Sequence, residues 1–217
     1  MWGWRVDFAL SGAEGVLSPS EIARADRFLS ETHRTRFVAA HIGVRKILAK
    51  YLQVEPASIE FVESSQGKPQ LAGASKVRFN LSHSGDIAVL AVSDGVEVGV
   101  DVELVRPISE KIGDRFFSAS EVAALTALPQ EDRLLAFYGC WTRKEAFLKG
   151  LGLGISGGLD TFSVSLPDQG PPVLRDSGSG ITAGWRLFHL EPAPGYIGAL
   201  ALRSEHARVS CFQASIE

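Results

Sequence analysis

With 217 residues, the chain is long enough for one large domain or two small ones, each burying its own core. A hydrophobic content of 45% beside 22% charged residues is that of a soluble globular protein. The net charge of −3 argues against a general nucleic-acid binder but leaves room for a local phosphate site. Cys140 and Cys211 lie far apart without metal-ligand spacing, and no apolar run approaches the roughly 20 residues of a membrane span. A cytoplasmic protein with reduced thiols is expected.

At the amino end Trp2, Trp4, Val6, Phe8 and Leu10 alternate with Gly3, Arg5, Asp7 and Ala9, the period of a first strand and not of a signal peptide. Ser18-Pro19-Ser20-Glu21 is a capping box, predicting a short helix through Leu29. A longer helix is predicted over 31–52, with Phe37, His41, Val44, Leu48 and Tyr51 on its apolar side. His41 reads as a packed histidine, and Arg34, Arg36, Arg45, Lys46 and Lys50 as a basic, solvated side. Residues 59–63 read as a strand, followed by a turn at Gln66-Gly67-Lys68-Pro69 whose free amides and lysine suit a phosphate or a purine.

Three strands follow, over 77–81, 87–92 and 96–103, and Asp94-Gly95 predicts a hairpin between the last two. Between the first two, Asn80-Leu81-Ser82-His83-Ser84-Gly85 offers hydroxyls, an imidazole and amides to phosphate oxygens. Ser–His hydrolysis there lacks the spacing of a nucleophile elbow. The third strand, Val98-Gly99-Val100-Asp101-Val102-Glu103, alternates strictly. Its valines face a core; Gly99, Asp101 and Glu103 share the other face. Carboxylates two residues apart on a strand stand roughly 6.5–7 Å apart at the backbone, so their oxygens can converge on one cation. Oxygen ligands favour Mg²⁺ or Mn²⁺. Gly99 is expected to leave that face open for a bulky ligand.

Pro107–Gly113 reads as a linker, and Ser118-Ala119-Ser120-Glu121 as a second capping box. The next helix, over 131–149, has Leu134, Phe137, Tyr138, Trp141 and Leu148 as its buried stripe, and Trp141, Glu145 and Lys149 at successive i, i+4 positions. Five glycines in residues 150–158 separate Leu151, Leu153 and Ile155, which read as a mobile docking loop flanked by Arg143 and Lys144. Strands are predicted at 161–166, 185–190 and 196–202, with a loop over 167–184. Each half thus reads as helices followed by antiparallel strands. Ala88–Ser93 (AVLAVS) and Ala199–Ser204 (ALALRS) look alike, as a duplication would leave them.

The pieces GKP at 67–69, FNLSHSG at 79–85, VGVDVE at 98–103, RFFSASE at 115–121 and WTRKEAFLK at 141–149, in that order, resemble the Sfp-type 4′-phosphopantetheinyl transferases. The resemblance implies an α+β fold of two similar halves related by a pseudo-two-fold, each with helices on an antiparallel sheet and the active site between them. The halves would be 1–106, on the coenzyme A side, and 107–217, carrying the catalytic helix and the docking loop. It implies a monomer that binds coenzyme A and Mg²⁺, with Mn²⁺ as an alternative. The enzyme would move the phosphopantetheine arm onto a serine of an apo acyl or peptidyl carrier protein, releasing adenosine 3′,5′-bisphosphate. Nucleic acid and membrane are not implied. By the same resemblance Asp101, Glu103 and Glu145 hold the metal, Asp101 and Lys149 face the pyrophosphate, and Ser82 and His83, with Asn80 beside them, meet the phosphates. Gly67, Lys68 and Pro69 form the adenine-side loop, and Arg36 or Arg34 meets the 3′-phosphate. Glu145 is the expected base for the carrier serine, with Glu121 the alternative, and Lys149 neutralises the leaving oxygen. Two other classes fit parts of the pattern: a member that binds without turnover, and a Mg²⁺-dependent phosphohydrolase that needs no carrier.

Overall fold

The computed structural model describes residues 1–8, 15–108, 111–154, 158–167, 170–176, 178 and 180–216. From the amino end, β1 (Trp2–Arg5) leads to α1 (Pro19–Ala25), α2 (Glu31–Leu52), β2 (Phe61–Glu63), β3 (Pro69–Leu71), β4 (Val77–Ser84) and β5 (Ile87–Asp94). A similar order then returns: β6 (Val98–Leu104), α3 (Lys111–Phe116), α4 (Ala119–Ala127), α5 (Gln130–Leu151), β7 (Phe162–Val164), β8 (Leu174–Asp176), β9 (Arg186–Leu190) and β10 (Tyr196–Leu202). A last strand, β11 (Phe212–Gln213), returns to the first half and runs parallel to β1. The sheets run β11-β1-β5-β4 and β6-β10-β9, and the hairpins β2-β3 and β7-β8 stand apart. This is the expected α+β architecture.

The helices start where the capping chemistry places them. In both halves a serine hydroxyl (Ser18, Ser118) accepts the N–H three residues on, and that residue's glutamate accepts the serine's own N–H at 2.8 Å. The helix α1 stops at Ala25, short of the expected Leu29. The α5 helix ends at Gly152, whose φ of 78° is the left-handed conformation that glycine adopts at low cost.

Three apolar clusters follow from strand alternation. Trp4, Ile47, Leu48, Phe79 and Leu90 fill the first half, and Phe147, Leu148, Phe162, Val164 and Trp185 the second. Between the sheets lie Ile87, Val89, Val98, Val100, Val102, Leu200 and Leu202, so the valines of β6 are buried as its alternation predicts.

Several expectations need correcting. Asp94-Gly95 makes no β5–β6 hairpin: β5 pairs with β1 and β4, whereas β6 pairs with β10. Local turn chemistry favours a reversal but does not choose the partner. Strand β6, which precedes the expected boundary at 106/107, pairs with β10. Strand β1 ends at Arg5, and Leu10 lies outside the described residues. The linker reading overlaps α3, and β8 lies inside the stretch read as a loop.

Candidate active site

The site lies where β4 of the first half, β6 and α5 meet. Gly99 makes this possible, though not by leaving a face open. A Cβ on Gly99 would stand 2.1 Å from the Ala146 carbonyl and 2.2 Å from the Gly150 nitrogen, so the α5 backbone itself occupies that face. Gly150 is equally tight, its Cβ position 2.5 Å from the Trp185 ring. The missing side chains let helix and strand touch, which lowers Glu145 and Lys149 onto the face of β6 that carries Asp101 and Glu103.

Asp101 is 3% exposed and Glu145 7%. The Lys149 ammonium donates to Asp101 Oδ1 at 2.6 Å and to Ser82 Oγ at 3.1 Å, and Ser82 Oγ donates to the same Oδ1 at 2.9 Å. Asp101 Oδ2 and Glu145 Oε1 are buried without a hydrogen-bond partner, an arrangement that costs free energy unless something fills the gap. Burial, then the Asp101 charge, then that of Glu103 push the Glu145 carboxyl up to about 7, against the pull of Lys149. Burial and Asp101 likewise raise Glu103, opposed by its bond from Ser84. These are carboxylates whose mutual repulsion a cation would relieve, and an all-oxygen donor set fits Mg²⁺ or Mn²⁺. Among the described residues no three acid, histidine or cysteine side chains already form a metal cage. The residues present fit the ion by their chemistry, two of their carboxylate oxygens being buried and partnerless.

β4 divides its side chains by strand period. Val77, Phe79 and Leu81 pack on the first core. Asn80, Ser82 and Ser84 point the other way: Asn80 Oδ1 accepts the Val100 N–H at 2.8 Å, Ser82 Oγ that of Val102 at 3.3 Å, and Ser84 Oγ that of Leu104 at 3.1 Å. The three oxygens stand where a neighbouring strand's carbonyls would, and they hold the two halves together. In this arrangement Asn80 and Ser82, read from the sequence as phosphate contacts, bond the β6 backbone, and Ser82 also bonds Asp101 and Lys149. With one donor and two lone pairs, the Ser82 hydroxyl is fully used by Asp101, Val102 and Lys149.

His83 lies on the opposite face of β4 and is held below the ordinary histidine range by partial burial and then by the charges of His41, Lys149, Arg36 and Arg24. Lys149, Arg36 and Arg24 make the anion-attracting side of the site. Arg36 pairs with Asp86, whose N–H donates to the Tyr196 hydroxyl at 2.9 Å, tying the arginine to the second half. Arg34 pairs instead with Asp26 and Glu31 in solvent, so Arg36 is the one beside His83. His41 stacks on Phe37 at 4.0 Å and bonds Glu21, as a packed histidine should.

The loop expected to cradle adenine does form a turn, with Gly67 at φ 80° and Ser64 N–H donating to the Lys68 carbonyl. The Lys68 ammonium, however, donates to the carbonyls of Val98 and Gly150 at 3.0 Å each, at the carboxyl end of α5 where a cation is favourable. A cavity of about 490 Å³ opens beside it, lined in part by Lys68, Pro69, Ser75, Arg78 and Glu97.

Glu121 is not in the site. It is 2% exposed, and its oxygens accept the Val164 N–H at 2.7 Å and pair with Lys144 at 2.8 Å besides capping α4. The two cations expected to flank the docking loop are not at the surface. Lys144 and Arg143 are buried, the latter bonded to Ser165, and Leu151 and Leu153 pack on the second core; Ile155 lies outside the described residues. Sequence reasoning missed Asp86 and Tyr196, and it placed Ser84 only among the hydroxyls offered to phosphate. The polar alternation along β4 could have revealed that Ser84 faces β6.

An α+β fold that brings buried carboxylates and a lysine together where β4, β6 and α5 meet, with arginines nearby, narrows the class of protein. A family model described as the 4′-phosphopantetheinyl transferase superfamily matches residues 97–201, and one described as 4′-phosphopantetheinyl transferase, N-terminal, matches residues 5–95. The chain is 36% identical over 209 residues to 4′-phosphopantetheinyl transferase HetI of Nostoc sp., covering 92% of this chain and 86% of that protein. To 4′-phosphopantetheinyl transferase Sfp of Bacillus subtilis it is 34% identical, covering 88% of each. Among solved structures, the holo-[acyl-carrier-protein] synthase of Thermotoga maritima aligns at TM-score 0.42 and 24% identity, over 51% of this chain and 65% of that one. The chain belongs to the 4′-phosphopantetheinyl transferase family.

Proposed function

We propose that the seam between β4, β6 and α5 binds coenzyme A with a divalent cation and transfers its 4′-phosphopantetheine arm to a serine of an apo acyl or peptidyl carrier protein. The observation that carries this reading is the pair of buried, partnerless carboxylate oxygens, Asp101 Oδ2 and Glu145 Oε1, contributed by strand and helix beside the Lys149 ammonium. Asp101, Glu103 and Glu145 would hold the ion, Mg²⁺ or Mn²⁺. Once bound, it neutralises the diphosphate and the charge that builds on the departing phosphate.

The chain's own groups supply the rest. Arg36 and Arg24 give a phosphate a cationic seat beside the His83 ring on the outer face of β4. Glu145, ionised once the cation is held, would accept the proton of the attacking serine. The serine oxygen bonds to the phosphorus that carries the pantetheine arm, and the bond from that phosphorus to the 3′,5′-bisphosphate breaks. Lys149 meets the oxygen that departs. Ser82 holds Asp101 and Lys149 in register. The same reading makes the protein a monomeric, cytoplasmic enzyme. Among the described residues no helix is long and apolar enough to cross a membrane.

The test is the mass of an apo carrier protein incubated with the enzyme, coenzyme A and Mg²⁺. The carrier should gain the phosphopantetheine arm only when all three are present. Coenzyme A cleaved without a carrier would point to a phosphohydrolase, and coenzyme A bound without turnover to a binding module.

A further inference from the structure

Resting on the metal reading above, we propose that Ser84 is a positioning residue for Glu103, fixing the second carboxylate of β6. Ser84 Oγ donates to Glu103 Oε2 at 2.7 Å and accepts the Leu104 N–H at 3.1 Å. The hydroxyl is thus anchored by the backbone next to the residue it orients, and its single proton has one direction to go. Asp101 is braced by Ser82 and Lys149, and Glu145 by its place on a rigid helix. Glu103 stands near the end of β6, where the Ser84 hydroxyl braces it. A hydrogen bond to one oxygen of a ligating carboxylate leaves the other turned toward the ion, and such outer contacts set metal affinity.

Because Ser84 sits on β4 and Glu103 on β6, the brace crosses between the halves. The geometry of the ion therefore depends on how the coenzyme-binding half seats against the catalytic one.

The experiment is a Mn²⁺ titration followed by electron paramagnetic resonance, with saturating coenzyme A and no carrier protein. It uses four full-length proteins: wild type, Ser84→Ala, Glu103→Gln and the double variant, each checked for a cooperative melt. A fifth, Ser84→Thr, keeps the hydroxyl. Ser84→Ala should weaken Mn²⁺ binding about tenfold in the wild-type background. It should have almost no effect on top of Glu103→Gln, because the brace then has no carboxylate to hold. Ser84→Thr should restore affinity. Equal Mn²⁺ affinity in wild type and Ser84→Ala would overturn the inference while leaving the metal site intact, as would the same loss in both backgrounds, the mark of a purely structural serine. No Mn²⁺ binding by the wild type would overturn both the inference and the metal reading beneath it.

Discussion

On the first sheet, α2 crosses β1, where Trp2 and Trp4 fill the space between them. Trp4 presses on Gly43, whose Cβ position lies 2.4 Å from the indole, and Trp2 donates its N–H to the Tyr51 hydroxyl at 2.8 Å under the Lys50 ammonium. On the second sheet, α5 crosses β6, and the corresponding places hold Gly99 and Asp101. Trp4 pairs with Ala88 and Asp101 with Ala199, the first residues of the two look-alike stretches. Counted along helices of equal length, Lys46 stands where Glu145 does and Lys50 where Lys149 does. The brace behind each helix is also repeated: Glu21 pairs with Arg45 over Phe61, and Glu121 with Lys144 over Phe162. One frame therefore serves two ends. Where tryptophan fills the strand–helix gap the half is a sealed core; where glycine and carboxylate replace it the half becomes a site.

The sharpest break in that comparison is Glu145→Gln against Lys46→Gln. The first should cut kcat/KM by about 10³-fold. The second, which loses the bond from Lys46 to the Ile216 carbonyl, should lower stability by about 1 kcal/mol and leave turnover within about twofold. Turnover of apo carrier by mass spectrometry and a urea melt separate the two. A Glu145→Gln enzyme of normal rate would remove it as the base.

Next comes Gly99→Ala. The new methyl must push α5 off β6, so we expect a loss of about 3 kcal/mol in stability and at least about a hundredfold in rate for the protein that remains folded. Gly43→Ala crowds an indole instead, and should cost stability with a far smaller loss of rate. Comparable rate losses would mean that the two gaps are not used differently.

The paired braces should behave alike. Glu21→Gln and Glu121→Gln each strand a buried cation and should destabilise by about 3–5 kcal/mol in denaturant. A large loss of kcat in Glu121→Gln without that destabilisation would return Glu121 to the role of base. Burial alone would raise the Glu21 carboxyl, but bonds from His41, Arg45 and Ser18 bring it down to about 2. A depressed carboxyl stabilises the fold above its unfolded value of about 4.5 and loses that contribution as pH falls through the folded value. Wild type should therefore lose stability between about pH 4.5 and 2 more steeply than Glu21→Gln.

Glu145 has the opposite sign. Its carboxyl, raised to about 7, keeps its proton in the folded, metal-free protein, so its contribution to stability declines as pH climbs from about 4.5 to 7. A cation must displace that proton. Mg²⁺ affinity should be about tenfold weaker at about pH 6 than at about pH 8, and Glu145→Gln should flatten the profile.

What was legible in the sequence was what local pattern encodes. Strict alternation put Val98, Val100 and Val102 in a core and Asp101 with Glu103 on the other face, and the capping boxes at Ser18 and Ser118 marked their helices. What depends on partners distant in the chain was not legible. Asp94-Gly95 carries turn chemistry but cannot say that β6 will leave for β10. Gly99 reads the same whether a ligand or a helix backbone fills the space beside it. Arg143 and Lys144 look like surface cations until Ser165 and Glu121 are brought to them. Ser84 reads as one more polar residue at a strand end until the strand beside it is known to be β6.

The most direct test is anomalous diffraction from crystals grown with Mn²⁺ and coenzyme A. The account predicts one strong peak among the carboxylates of Asp101, Glu103 and Glu145, in contact with the diphosphate. A peak that excludes Glu145, or bound coenzyme A with no peak at that seam, would contradict it.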